Sequence, residues 1–367
     1  MNSFKELLSS KDKRNPISSK GDLVNIKNIY ILKRIINHLE KIKLLKMIKY
    51  NKLYQNKLLL TTKDFKEGSE SIPIEIEIIP VKNKYGKFIN FLLKTDKQYY
   101  KIYFNNGTQE IKRNYLTKNE NINKIKILID YQVKSFFELF SECSCIESLN
   151  FKKCNRNDLD NFNSLFYKCT NLKEINLKNM NTEKIKDMSY LFGSCKSLQK
   201  IDLTNFITDR VEYMNDKFSS CLSLKEINLS NFNTENVNNL QNMFNNCSSL
   251  EKINLLNFKT DNIIDISSAF NGCSSLKELD LSNFKTDKVG YMYSLFRACS
   301  SLKKINISNF NTKNVIDMSS LFQGCSSLKE LNLSNFFTDK VTDISKMFDG
   351  CSSLKKLSVK KVNIYYI

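Results

Sequence analysis

A cysteine recurs every 26 residues through the last two thirds of the chain, and this period constrains the fold more than any other feature. The cysteine ladder has no insertion or deletion and consists of Cys143, Cys169, Cys195, Cys221, Cys247, Cys273, Cys299, Cys325 and Cys351. A phenylalanine keeps the same step from Phe140 to Phe348. A fixed period of this length is typical of a solenoid, in which each unit buries its apolar face only against its neighbours. Each 26-residue unit is called a coil here, and the nine cysteines start coils 1 to 9.

The order of apolar residues within one coil predicts a strand, a turn and a helix. In coil 6, Leu279 and Leu281 alternate with polar residues, which is typical of a short strand with one face inward. Thr286 then precedes Asp287, and apolar residues follow at steps of three or four as far as Cys299, which is typical of an amphipathic helix. A threonine followed by an acidic residue suits the start of a helix. The pattern therefore predicts an α/β solenoid of strand-turn-helix units.

The repeated motif resembles that of a known family. The run LKELNLSNF in coil 8 resembles the leucine-rich-repeat consensus LxxLxLxxN, and the continuation FxTDxVxxMSxLFxGCSSL is similar to the BspA-like leucine-rich-repeat surface-protein family. The resemblance covers about residues 131–367 and implies a protein that binds other proteins rather than an enzyme, with a surface location implied by the family name. One departure is that Asn283 and its equivalents lie one residue earlier than the consensus asparagine, so the family's hydrogen-bonding geometry is not carried over.

The composition shifts along the chain predict four segments. They are a disordered basic leader at 1–24, a helical segment at 25–65, a β-rich capping unit at 66–130 and the solenoid at 131–367.

Two of these segments carry further expectations. Residues 26–60 have apolar side chains at helical steps and weakly resemble an F-box, although the usual Leu-Pro opening and the tryptophan are missing. In the β-rich unit, Asn105, Asn106 and Gly107 predict a hairpin turn. The strand that starts at Ile125 is expected to lead into the first helix of the array, Val133 to Phe140.

The reactive residue types favour no catalytic chemistry. Nine of the eleven cysteines take a core position of the coil, so we expect free buried thiols rather than disulfides. With His38 as the only histidine and no CxxC pair, we expect no metal and no cofactor, and no nucleophile and base pair suggests an enzyme. The net charge of +19 lies mostly in the first 142 residues and is interpreted as solvated lysines rather than a nucleic-acid site. The lack of an apolar signal core or an apolar run of eighteen residues predicts a cytoplasmic chain without a transmembrane segment.

Two columns of outward residues on the predicted strands are the candidate binding site for a protein partner. The charge column alternates in sign from coil to coil and consists of Glu174, Lys200, Glu226, Lys252, Glu278, Lys304, Glu330 and Lys356. The amide column, two residues later, consists of Asn176, Asp202, Asn228, Asn254, Asp280, Asn306 and Asn332. Opposite charges on neighbouring strands support pairing, and the same strip is suited to docking an extended partner. No small-molecule substrate is expected. Two alternatives remain, an intracellular F-box-like adaptor that uses the N-terminal helices and a cell-surface adhesion protein.

Overall fold

The computed structural model describes residues 73–91, 94–130, 133–154 and 156–361. The predicted leader at 1–24 and helical segment at 25–65, with the F-box-like stretch, lie outside the described residues. The description that follows therefore concerns the β-rich segment and the coils.

The segment before the coils is a small sheet with a turn-rich periphery. Its elements are β1 (Ile74–Pro80), β2 (Gly86–Lys87), a 3₁₀ helix (Lys94–Tyr99), β3 (Tyr100–Phe104), β4 (Tyr115–Leu116) and β5 (Ile125–Ile129). The predicted turn is present, because Asn105 and Asn106 have φ values of 51° and 60° and the Gly107 amide donates to the Phe104 carbonyl over 2.8 Å. Isoleucines on one face of β1 and β5 are fully buried, as strand alternation requires.

This sheet is continuous with the first coil. Strand β6 (Ile146–Lys153) lies in coil 1, and β7 (Glu174–Asn176) lies in coil 2. The sheet order is β3-β5-β1-β6-β7, in which β1 is antiparallel to β6 and β6 is parallel to β7. The Cys145 thiol contributes to the junction by donating to the Lys87 carbonyl over 2.9 Å. The first coil thus has its strand edge hydrogen-bonded to β1 rather than open to solvent.

The later strands are short and parallel, and they pair in twos. They are β8 (Glu226–Asn228), β9 (Lys252–Asn254), β10 (Glu278–Asp280), β11 (Lys304–Asn306), β12 (Glu330–Phe337) and β13 (Lys356–Lys361). Strand β8 pairs with β9, β10 with β11 and β12 with β13, whereas among the described strands no pairing joins β9 to β10 or β11 to β12. The sequence repeats every coil, but from coil 4 onward the strand pairing repeats every second coil, and residues 200–202 of coil 3 form no strand.

The helices predicted for the coils, including Val133 to Phe140, are absent, and the prediction was wrong. Within the described ranges the single helical element is the 3₁₀ helix before β3. In coil 2, Leu191 and Cys195 each donate their amide to the residue three positions earlier, Met188 and Phe192. The Met188 and Phe192 amides donate instead to the next coil, to the residues 25 positions later. A succession of turns with positive φ at Tyr190 (55°) therefore replaces the helix.

The spacing between coils explains why a helix does not form. An α-helix with its side chains is about 10–12 Å wide. The stacked rings of the phenylalanine ladder have centroids only 5.4–6.0 Å apart from coil to coil, with interplanar angles of 0–20°. Turns with alternate amides directed to the next coil fit this spacing and still place apolar residues inward at steps of three and four. An amphipathic helix and this succession of turns thus share the same apolar pattern. The pattern predicted the buried residues correctly but not the backbone conformation.

The ladder cysteines form a second internal stack. From Cys169 to Cys351 each thiol donates to the carbonyl of the phenylalanine 29 residues earlier, with Sγ to O distances of 3.0–3.3 Å. All eleven cysteines are free, and all but the half-buried Cys351 are buried. The predicted core position of the ladder is therefore occupied by thiols that link neighbouring coils.

The threonines predicted to cap helices join coils instead, which is a second correction. Thr260 donates its hydroxyl to the Lys285 carbonyl over 2.8 Å and accepts from the Lys285 amide over 2.7 Å. Five other buried threonines make the same pair of hydrogen bonds to the residue 25 positions later: Thr182, Thr208, Thr234, Thr286 and Thr312. The hydroxyl acts here like a backbone group in a ladder, because it satisfies one donor and one acceptor of the next coil.

The asparagine ladder also links coils. The Asn283 side-chain amide donates to the carbonyls of Leu255 and Phe258, 2.9 and 3.1 Å away in the preceding coil. Asn179, Asn205, Asn231, Asn257, Asn309 and Asn335 likewise donate to carbonyls of the preceding coil. Each of these side chains therefore adds hydrogen bonds between coils at the point where the chain leaves the strand.

One coil carries a lysine at an inward position where most coils have leucine or methionine. Lys217 is fully buried, and its Nζ lies 4.4 Å from the ring centre of Phe232 and 3.1 Å from Sδ of Met188. The rings of Phe206 and Phe218 are 5.8 and 5.7 Å away. Desolvation by these apolar groups lowers the pKa of Lys217 well below its ordinary value.

In coil 5 the side chain at the same inward position is too small to fill the core. Ala269 replaces leucine there and leaves an apolar cavity of about 10 Å³, lined by residues that include Met243, Leu295, Phe258 and Phe284. At this inward position, coils 3 and 5 thus depart from the leucine or methionine of the other coils.

Candidate protein-interaction surface

The structure places the predicted site residues in two columns, and all of them lie on strands except Lys200 and Asp202 of coil 3, where no strand forms. Every member of the charge column and of the amide column is exposed. The strand register aligns them, since Glu278 lies opposite Lys304 and Asp280 lies opposite Asn306. Whether this surface binds a partner is a matter for the proposal below.

Ion pairs within the charge column follow the strand pairing. Lys304 Nζ lies 3.3 Å from Glu278 Oε1, and Lys356 Nζ lies 3.8 Å from Glu330 Oε2. The four side chains are 67–79% exposed, so solvent screens both pairs and each contributes roughly 0–1 kcal/mol. These residues remain accessible to a ligand.

The amide column has a structural role that the sequence did not reveal. Each member accepts a hydrogen bond through its Oδ1 from the backbone amide two residues later, as Asp280 does from Ser282 over 2.9 Å. The distances for the remaining members are 3.0–3.3 Å, at Asn176, Asp202, Asn228, Asn254, Asn306 and Asn332. Such turns end the strand, and the short Asn or Asp side chain is suited to them. The two-residue spacing from Asn or Asp to Ser or Thr was the signal that could have predicted it.

Between the two columns runs a line of apolar residues, one per coil. Leu279 and Leu331 are 5% and 4% exposed, whereas Ile175, Ile201, Ile253 and Ile305 are half-buried. The three lines together form two shallow depressions. One, of about 770 Å³, lies over coils 2–5 and the other, of about 570 Å³, over coils 6–9. The surface therefore offers charge, apolar contact and amide groups side by side.

The sequence analysis overlooked a column of lysines directly before the charge column. In coils 6–9 it consists of Lys277, Lys303, Lys329 and Lys355. All four are exposed. The 26-residue step that reveals the charge column reveals this one as well.

The described residues hold no group of three or more His, Cys, Asp or Glu side chains that could bind a metal ion. The thiols of the ladder are held protonated by burial, which raises the pKa of Cys247 and Cys299 to about 12. None of the described helical segments has the length and apolar character needed to cross a bilayer.

The stacked coils define a solenoid of 26-residue repeats, whose motif resembles a leucine-rich repeat. The sequence matches the family described as "Mycoplasma protein of unknown function, DUF285" over residues 134–253, 221–306 and 240–362. These ranges cover more than half of the chain, and the chain belongs to this family. No curated protein sequence matched it.

Three solved structures are similar in part. A leucine-rich repeat protein from Eubacterium ventriosum is 19% identical with a TM-score of 0.34, over 55% of this chain and 57% of that one. The TLR13–ssRNA13 complex is 18% identical with a TM-score of 0.27, over 59% of this chain and 32% of that one. A leucine rich cell surface protein from Faecalibacterium prausnitzii A2-165 is 16% identical with a TM-score of 0.20, over 55% of this chain and 76% of that one. The chain thus spans little more than half the length of the first of these proteins.

Proposed function

We propose that this protein is a non-catalytic scaffold that binds a protein partner on its strand face, defined by the charge column, the amide column and the apolar line between them. The observation that supports the proposal is the pair of depressions along this face. Each depression extends over four coils and is lined by the exposed charge and amide columns and the apolar line between them, so an extended segment could lie across several coils at once. Elsewhere in the coil, phenylalanine, cysteine, threonine and asparagine are engaged in linking one coil to the next.

The test selects ligands from a random library, because such a selection assumes nothing about the partner. A dodecapeptide library displayed on phage is panned against the immobilised full chain, and selected peptides are titrated against variants. The strand-face variant carries Asn228→Tyr and Asn306→Tyr, one bulky ring in each depression. The control carries Asn236→Tyr and Asn314→Tyr, which are exposed, lie outside both depressions and also lose one hydrogen bond to the backbone each.

Peptides that bind the wild type and the control but not the strand-face variant would support the proposal. Peptides that bind all three proteins equally would place recognition elsewhere and contradict it. No described residue favours the adaptor alternative at residues 26–60 or the adhesion alternative, and neither is proposed.

A further inference from the structure

The two halves of the strand face differ in charge, although they are built on the same coil. Over coils 2–5, the charge column, the amide column and the residue before them hold four lysines and four acidic residues. Over coils 6–9 the same three positions hold six lysines and three acidic residues, a net charge of +3. The basic excess belongs to the strand face of coils 6–9, where Lys303 lines the second depression and Lys277, Lys329 and Lys355 directly precede residues that line it.

The excess comes from the lysine column, Lys277, Lys303, Lys329 and Lys355. In the part of the chain that the structure describes, none of the four lies within 4.0 Å of a carboxylate, whereas Lys304 and Lys356 are paired with Glu278 and Glu330. Neighbouring strands are about 4.8 Å apart, so four like charges follow one another along the column. Adjacent like charges on paired strands are unfavourable. An anionic ligand along the column would relieve this repulsion.

The chemistry beside the lysines indicates the kind of anion. The second depression is lined by Leu279, Ile305 and Leu331 and by the amides of Asn306 and Asn332, and no aromatic residue lines it. Single-stranded nucleic acids are usually held by aromatic side chains on which the bases stack. A polypeptide strand instead alternates two kinds of side chain, and a β-strand rises about 3.3 Å per residue. Five extended residues with an acid at every second position therefore place three carboxylates, about 6.6 Å apart, along about 13 Å. The four lysines, about 4.8 Å apart, span about 14 Å, so three carboxylates share the four lysines.

Resting on the proposed function, we infer that the strand face over coils 6–9, where the lysine column runs beside the second depression, binds an extended acidic peptide. Its carboxylates pair with Lys277, Lys303, Lys329 and Lys355, and its intervening apolar side chains contact the line of Leu279, Ile305 and Leu331. Coils 2–5 do not provide this site.

The test uses the full chain and a fluorescein-labelled heptapeptide, EVEVEVE, followed by fluorescence anisotropy. Two quadruple variants lose the same four positive charges. One replaces Lys277, Lys303, Lys329 and Lys355 by glutamine. The matched control replaces the four lysines at the corresponding positions of coils 2–5, Lys173, Lys200, Lys225 and Lys252, by glutamine. All eight are exposed, so both proteins should melt close to the wild type, which is checked first.

We expect the coil 6–9 variant to bind the peptide about tenfold or more weakly, from the loss of several exposed ion pairs. The control should stay within about twofold of the wild type, because four fewer charges outside the site alter only long-range attraction. Equal weakening in the two variants would show attraction to net charge alone and overturn the inference. Two further probes, KVKVKVK and a ten-residue oligothymidylate, should bind more weakly than EVEVEVE; an oligonucleotide that bound more tightly through the same lysines would overturn the choice of a peptide.

These outcomes are separable from the proposed function. Library peptides that are not acidic and that still depend on Asn228 and Asn306 would keep the strand face as a binding surface and refute the acidic ligand. Failure of every peptide to respond to changes on the strand face would refute both.

Discussion

Lys217 and Phe232 meet in the core of the solenoid, with the amine nitrogen 4.4 Å from the ring centre. The pair belongs to neighbouring coils, and the lysine is fully buried with a lowered pKa. Leucine is the more frequent residue at this position, so the lysine is costly to the fold unless the amine is neutral.

Replacing Lys217 by leucine should therefore stabilise the protein. Because folding lowers the pKa of Lys217, the unfolded state binds more protons between the folded and the unfolded pKa, and wild-type stability rises with pH in that range. The gain from Lys217→Leu should be largest at low pH and shrink as pH approaches the ordinary lysine value. Urea melts at pH 6 and pH 9 measure it, with the exposed Lys340→Leu as control. A gain that did not depend on pH would show that the lysine is charged in the folded protein.

Filling the small cavity in coil 5 should also stabilise the fold. Ala269→Leu restores the residue that most coils have beside the phenylalanine ladder. Each buried methylene group contributes about 0.8 kcal/mol, although part of this is lost if the cavity is too narrow. Thermal melts should show a higher melting temperature than wild type, and the reverse change in the next coil, Leu295→Ala, should lower stability by about 2–5 kcal/mol. A lower melting temperature for Ala269→Leu would indicate overpacking.

The threonine ladder should respond to loss of the hydroxyl but not of the methyl group. Thr260→Val keeps the shape and leaves the Lys285 amide and carbonyl without their partner, at a cost of about 1–3 kcal/mol for each unsatisfied group. Thr260→Ser keeps both hydrogen bonds and should cost less than the valine variant. Chemical denaturation of the two variants measures the difference. Equal stability of Thr260→Val and wild type would contradict a structural role for the hydroxyl.

The ion pair between Glu278 and Lys304 should be detectable only as a coupling free energy between substitutions at the two positions. Glu278→Lys places like charges opposite each other in paired strands, at a cost of roughly 0–1 kcal/mol. The double variant Glu278→Lys with Lys304→Glu restores the pair, and it should recover stability at low salt because no strand pairing joins β11 to β12. If the double variant remained as unstable as the single one, the side chains at positions 304 and 330 would interact across the unpaired strands β11 and β12 as strongly as those at positions 278 and 304 do across paired strands.

The cysteine ladder should be slow to react in the folded protein. Burial and raised pKa values keep the thiols protonated, so a thiol reagent at pH 8 should modify the half-buried Cys351 first and the inner members only after unfolding. All eleven thiols should react in denaturant without reductant. Cys351→Ser is the control that removes the early reaction. Fewer than eleven reactive thiols in denaturant would reveal disulfides.

Burial in the coils was predictable from the sequence, whereas the backbone path was not. The 26-residue step identified Phe296 and Cys299 as inward residues, because every coil must bury the same positions. The helix prediction failed at Thr286, whose hydroxyl looks like a helix cap in a single coil. Its actual partner, Asn311, is 25 residues away, and a bond of that range has no local signal.

The candidate site was predictable in part. The alternation of Glu278 and Lys304 was evident from the repeat, and both lie exposed on the strands. The pairing of the strands in twos was not evident from the repeat, because it depends on which coils exchange backbone hydrogen bonds. The role of Asp280 in ending its strand was missed since its acceptor geometry appears only once the turn to Ser282 is formed.

The pairing of strands in twos limits how such a chain can grow or shrink. Deleting one coil, the 26 residues from Cys273 to Ala298, would bring Lys252 of β9 next to Lys304 of β11. Deleting two coils, from Cys273 to Gly324, would bring Lys252 next to Glu330 and leave each remaining strand pair whole. In this part of the solenoid, removal of coils in twos therefore keeps both the strand pairs and the alternation of charge, so the unit that can be removed is twice the length of the sequence repeat.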